Sequence, residues 1–83
     1  MSEPVVTRAL QISVECYAGH KGEETPQVLV LGDRRIAVAR VLDRWLAPDH
    51  RYFRVEGDDG DQYIVRHDVN SGIWELTLFQ RGS

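Results

Sequence analysis

Eighty-three residues with 42% apolar and 28% charged side chains make one small globular domain, too short for a second hydrophobic core and too apolar for a disordered chain. The formal charge is −3, from 13 acidic residues against ten basic ones, which disfavours a nucleic-acid partner on bulk electrostatics. Cys16 is the only cysteine, so no internal disulfide forms and a bridge-stapled secreted scaffold is excluded.

The opening residues lack a basic start leading into an apolar block, and no stretch reaches bilayer length. A cytoplasmic protein without a membrane partner is therefore expected. Lys21 is the lone lysine among nine arginines, a bias toward side chains that pair bidentately with carboxylate or phosphate and stack on rings. A chain of this size buries only about 60 to 65% of its unfolded surface, so dimerisation would help it and a homodimer is compatible with the composition.

Residues 1 to 8 carry Pro4 and no sustained pattern, which predicts a frayed start able to join an edge strand. Leu10, Ile12, Val14 and Cys16 then alternate with polar residues, the period-two signature of a half-buried strand with Cys16 in the core. Residues 18 to 26, with two glycines and Pro26, read as a loop. Gln27 to Leu31 is a short apolar run suited to a strand, and Gly32-Asp33-Arg34 a tight hairpin turn.

From Arg35 to Leu46 the phase changes, because Ile36 and Val38 define one face while Val41 and Trp45 have the opposite parity. A β-bulge near Ala39 or Arg40 would return Val41 and Trp45 to the core. A helix is the alternative, and β-branched content favours the strand.

After Pro48-Asp49-His50, residues 51 to 56 alternate, with Phe53 and Val55 on the apolar face and Tyr52 and Arg54 on the other. Residues 57 to 61, rich in glycine and aspartate, form the clearest turn of the chain. Gln62 to Asp68 returns, residues 68 to 72 turn again, and Ile73 to Phe79 follows with Trp74, Leu76 and Leu78 on one face. The last residues, 80 to 83, read as frayed. These elements predict an all-β domain, an antiparallel meander of about six strands forming a strongly bent sheet or small SH3-like barrel.

Three constellations are set aside on spacing. Cys16, His20, His50 and His67 offer zinc donors but match no finger or ribbon pattern. Asp58, Asp59 and Asp61 are too few and too close for a calcium loop. Cys16, His67 and Asp68 have nothing in their spacing that specifies a nucleophile, base and orienting group. No cofactor, metal or catalytic residue is expected.

A binding surface is the remaining candidate, made by Arg44, Tyr52, Arg54, Arg66 and His67 with Tyr63 across the hairpin, since arginines and aromatic rings stack bases and contact phosphates. Ordinary cross-strand pairing of the same residues with Asp43, Glu56 and Glu75 is the simpler account.

At Glu23-Glu24-Thr25-Pro26, Val41-Leu42-Asp43-Arg44-Trp45, Tyr52-Phe53-Arg54-Val55, Asp58-Asp59-Gly60, His67-Asp68 and Gly72-Ile73-Trp74-Glu75-Leu76 the chain resembles short bacterial domains of unknown function. The likeness spans roughly residues 23 to 79. Some related-looking segments accompany DNA-repair functions. The resemblance implies one compact bacterial, cytoplasmic module and transfers no activity and no catalytic residue.

The expected function is a non-catalytic protein-binding or adaptor module with an unidentified protein partner. A single-stranded nucleic-acid binder using the same surface is the alternative, and a small enzyme ranks third.

Overall fold

The computed structural model describes the backbone of residues 5–18 and 24–82 and the side chains of residues 10–16 and 25–82. The expectations for Pro4, His20, the centre of the 18–26 loop and Ser83 lie outside the described residues. Six strands follow in order: β1 Val5–Ala18, β2 Glu24–Leu31, β3 Arg34–Leu46, β4 His50–Gly57, β5 Gln62–Asp68 and β6 Trp74–Gln80. Each pairs antiparallel with the next, and β1 pairs with β6 to close a small barrel. The helical alternative for residues 35 to 46 is thereby removed.

Closure rests on the length of β1. Its first half pairs with β6, up to Ile12 opposite Trp74, and its second half pairs with β2 from Ser13 opposite Val30. One long strand thus serves two neighbours and leaves the sheet without a long exposed edge on this side. Val5 and Val6 already pair with Phe79 and Leu78, so the fraying expected through residue 8 does not hold for residues 5 to 8. At the other end Gln80 pairs with Gln62, and the Gly82 N–H donates to Asp61 Oδ1 at 2.8 Å.

Of the loop expected over residues 18 to 26, Ala18 belongs to β1 and residues 24 to 26 to β2. Pro26 sits inside the strand, opposite Cys16 and beside a register shift at Glu15/Cys16. Proline has no N–H to give to a ladder, and an irregularity is where a strand accommodates it.

The core comprises Ile12, Leu29, Ile36, Phe53, Val55, Tyr63, Val65, Trp74 and Leu76, with Cys16, Val38, Val41 and Phe79 packed against it. Fully burying one such aliphatic or aromatic side chain is worth about 1.5–3 kcal/mol. Leu10, expected inside, is 54% exposed and lies where the β1–β6 register shifts.

Strand β3 carries two bulges. The first falls at Ala39, between the pairs Val38 with Gly57 and Arg40 with Glu56, and it returns Val41 to the inner side opposite Val55. The second, at Leu42, places Asp43 opposite Arg54, Arg44 opposite Phe53 and Trp45 opposite Tyr52. Trp45 is therefore turned away from the core and is 40% exposed. The expectation that it anchors the interior is corrected, because the second extra residue reverses the phase that the first restored.

A similar shift corrects β6. Thr77 is the extra residue between Val65 opposite Leu76 and Ile64 opposite Leu78, and its hydroxyl donates to the Ile64 carbonyl at 3.1 Å. Leu78 thus leaves the parity of Trp74 and Leu76, and Phe79 takes the inner place, its ring 5.2 Å from that of Tyr63.

Candidate functional site

Parity along β4 separates two faces. Its pairing with β5 is regular from His50 to Glu56, so Arg51, Phe53 and Val55 share the inner side and Tyr52, Arg54 and Glu56 the outer. The six residues of the expected surface do not form one platform.

Tyr52, Arg54 and Arg66 lie on the outer face. Trp45, Tyr52, Arg66 and Glu75 stand side by side across β3 to β6. The Trp45 and Tyr52 rings stack at 5.2 Å and 5°. The Arg66 guanidinium donates to Glu75 Oε1 at 2.7 Å, and its hydrogen bonds with Tyr52 and Glu75 push its pKa above the usual arginine value. Arg54 donates to Gln62 Oε1 from Nε and Nη2, at 3.1 and 2.7 Å. This is cross-strand chemistry that joins strands.

Tyr63 does not belong to a surface. It is 1% exposed, in the core beside Val55 and Phe79, and its hydroxyl donates to Asp59 Oδ2 at 2.6 Å. Burial first, then Asp59, raises its pKa above that of an ordinary phenol. Its shared parity with Val65 was the sequence signal for an inward position.

Arg44 and His67 belong to the inner side, near one mouth of the barrel. His67 stacks on the core ring of Trp74 at 4.3 Å and 6°. The Arg44 guanidinium carbon lies 6.0 Å over the Phe53 ring, at the limit of a cation–π contact. Around it Thr25, Trp45, Leu46, Arg51, Tyr52 and Phe53 complete the lining of an open cavity of ≈ 330 Å³.

This cavity continues a fork in the barrel. Strands β2 and β3 pair only from Leu31 with Arg34 to Val28 with Ala37. Beyond that point, among the described residues, Glu24 to Pro26 pair with β1 alone, and Arg40 to Leu46 with β4 alone. A second concavity, lined by Thr25 to Val28 and by Ala37, Val38, Arg40 and Val41, occupies the fork. Thr25 lines both. The result is a cleft whose walls are two strand segments that, among the described residues, have no ladder partner on the facing side.

Two arginines distinguish this cleft. Arg34, Arg35, Arg40 and Arg66 each meet a carboxylate, and Arg54 meets Gln62. Among the strand arginines whose side chains are described, Arg44 and Arg51 have no acidic or amide partner. Sequence reasoning missed Arg51, Leu46 and the fork. An arginine on the parity of Phe53 and Val55 was the available signal for Arg51.

Among the described residues no three of His, Cys, Asp and Glu are grouped to hold a metal ion. His50 Nε2 lies 3.7 Å from Asp68 Oδ2, and Asp68 Oδ1 accepts the N–H groups of Asn70 and Ser71 at 2.8 and 3.0 Å. Those N–H groups pull the Asp68 carboxyl below the usual carboxylate range. Among the described residues no helix is long and apolar enough to cross a membrane.

Set against protein-family models, curated proteins and solved structures, the chain matches none of them.

Proposed function

We propose that the protein is a non-catalytic binding module that takes an extended segment of another protein into the cleft between β2 and the β3–β4 ribbon. The observation that carries this reading is the side of β3 from Arg40 to Leu46 that no described residue pairs with, bordered by Leu42, Trp45 and Leu46, which are 41, 40 and 79% exposed. A strand side without a ladder partner attracts another extended chain, and pockets along it select alternate side chains. Large apolar side chains left uncovered beside it are the usual mark of a protein-contact surface. The single cysteine supports a reducing, cytoplasmic setting.

A second reading has its own support. The stacked Trp45 and Tyr52 rings share the lining of one cavity with Arg44 and Arg51, a combination of aromatic groups and cations that suits single-stranded nucleic acid. The net charge of −3 weighs against a polyanion.

Selection of phage-displayed peptides on immobilised protein, followed by titration of an enriched peptide into ¹⁵N-labelled protein, tests the first reading. Amide shifts gathered at residues 25–28, 38–46 and 51–53 are expected. Shifts confined to the outer face around Arg54 and Arg66, or no enrichment at all, overturn it. The same titration with a twelve-nucleotide oligothymidylate tests the second, and sedimentation without any ligand tests whether a second copy fills the cleft.

A further inference from the structure

The cleft also carries information about what the bound segment contains. We propose that it recognises two acidic side chains spaced i and i+2 on an extended peptide, with Arg44 and Arg51 as the paired anion subsite. The inference rests on the protein-binding reading above.

Geometry supplies the spacing. Arg44 pairs with Phe53 and Arg51 lies two residues before Phe53 on the same regularly paired strand. The two arginines are therefore diagonal neighbours on the inner side, about 7–8 Å apart at the backbone. An extended peptide presents alternate side chains on one face about 6.5–7 Å apart. The two spacings agree, and adjacent residues on such a peptide point to opposite faces and cannot both reach.

Charge supplies the identity. Both arginines are exposed and have no acidic partner among the described residues, while four of the remaining described strand arginines hold carboxylates of the same chain. Guanidinium recognises carboxylate through two parallel hydrogen bonds, and the apolar floor at Phe53 lowers the competition from water. Two such cations match two carboxylates, whereas a long polyanion meets the excess acidic charge of the rest of the chain. Leu46 and Trp45, at the rim of the same cavity, offer contact area to the apolar residues between and beside the acids.

Three fluorescein-labelled nine-residue peptides of serine, threonine and valine test this by anisotropy at low and high salt. One carries Glu-x-Glu at its centre, one Gln-x-Gln, and one two adjacent glutamates. The expected result is binding of Glu-x-Glu at least about tenfold tighter than either of the others, weakened by salt. Arg44→Gln and Arg51→Gln should each abolish that preference, and Arg81→Gln, a change beyond β6, should leave it intact. Both cleft arginines are exposed, and matching thermal transitions confirm that the variants fold. Equal affinity for Glu-x-Glu and Gln-x-Gln, lost on Trp45→Ala, overturns the acidic subsite and leaves the protein-binding cleft standing. No peptide binding, with oligothymidylate shifting the cleft amides instead, overturns both.

Discussion

Trp45 stacks face to face on Tyr52, ring centroids 5.2 Å apart and planes within 5°, on the outside of the barrel. The pair exists because Leu42 is an extra residue in β3, which turns Arg44 inward over Phe53 and Trp45 outward over Tyr52. The bulge therefore prepares the cleft, placing a cation where strict alternation would have buried an indole.

The two tryptophans should respond differently to truncation. Trp74 is buried among Phe53, His67 and Ile12, so Trp74→Ala should cost about 3–5 kcal/mol. Trp45→Ala removes a half-exposed ring and one stack, and should cost about 1 kcal/mol. Urea denaturation of both variants measures this, and an equal loss would place Trp45 back in the core.

Gly57 is required by its neighbours. A Cβ there would stand 2.6 Å from Ile36 Cγ2 and 2.6 Å from Asp59 Oδ1, while the N–H is committed to the Asp61 carbonyl at 2.8 Å. Ile36 is buried and cannot yield without strain, and moving Asp59 breaks its bond to Tyr63. Gly57→Ala should destabilise by about 1–3 kcal/mol, read from the shift of the thermal transition.

Acid should unfold the protein through its turns. Asp59 titrates below the ordinary value of 3.8: burial opposes this, and the Tyr63 hydroxyl, the Asp61 N–H and Arg34 outweigh it. Asp68 is lowered by the N–H groups of Ser71 and Asn70. A carboxyl whose folded pKa lies below its unfolded one contributes stability that is complete above the unfolded value and is lost as pH falls through the folded one. The urea midpoint should hold near neutrality and fall below about pH 4. Asp68→Asn keeps the accepting oxygen without the titration, so its midpoint should fall less steeply; parallel curves would remove Asp68 as a cause. Tyr63, raised above 10, acts at the other end, and its contribution is lost as pH rises beyond that value.

Arg66 and Glu75 join β5 and β6 on the outer face. A double-mutant cycle with Arg66→Ala and Glu75→Ala should give a coupling of about 0.5–1 kcal/mol, since both side chains are roughly a quarter exposed. Peptide binding at the cleft should be unchanged in either single variant. A loss of binding in Arg66→Ala would return Arg66 to the recognition surface.

The amino-acid sequence by itself determined the strands and their turns. Alternation of Phe53 and Val55, the glycine and aspartate clusters at 57–61 and 68–72, and the phase break near Ala39 are local signals, because side chains alternate strictly along a strand and only certain residues accept turn geometry. What only the tertiary structure decided is where that alternation is interrupted a second time. The bulges at Leu42 and Thr77 exist through the register of neighbouring strands, and each reverses the face of everything beyond it. The fork between β2 and β3 has the same origin, since β1 must serve two neighbours to close the barrel and β3 leaves β2 to follow β4. Arg44 and Arg51 meet in the cleft because pairing across strands, which no local pattern encodes, set them on one face.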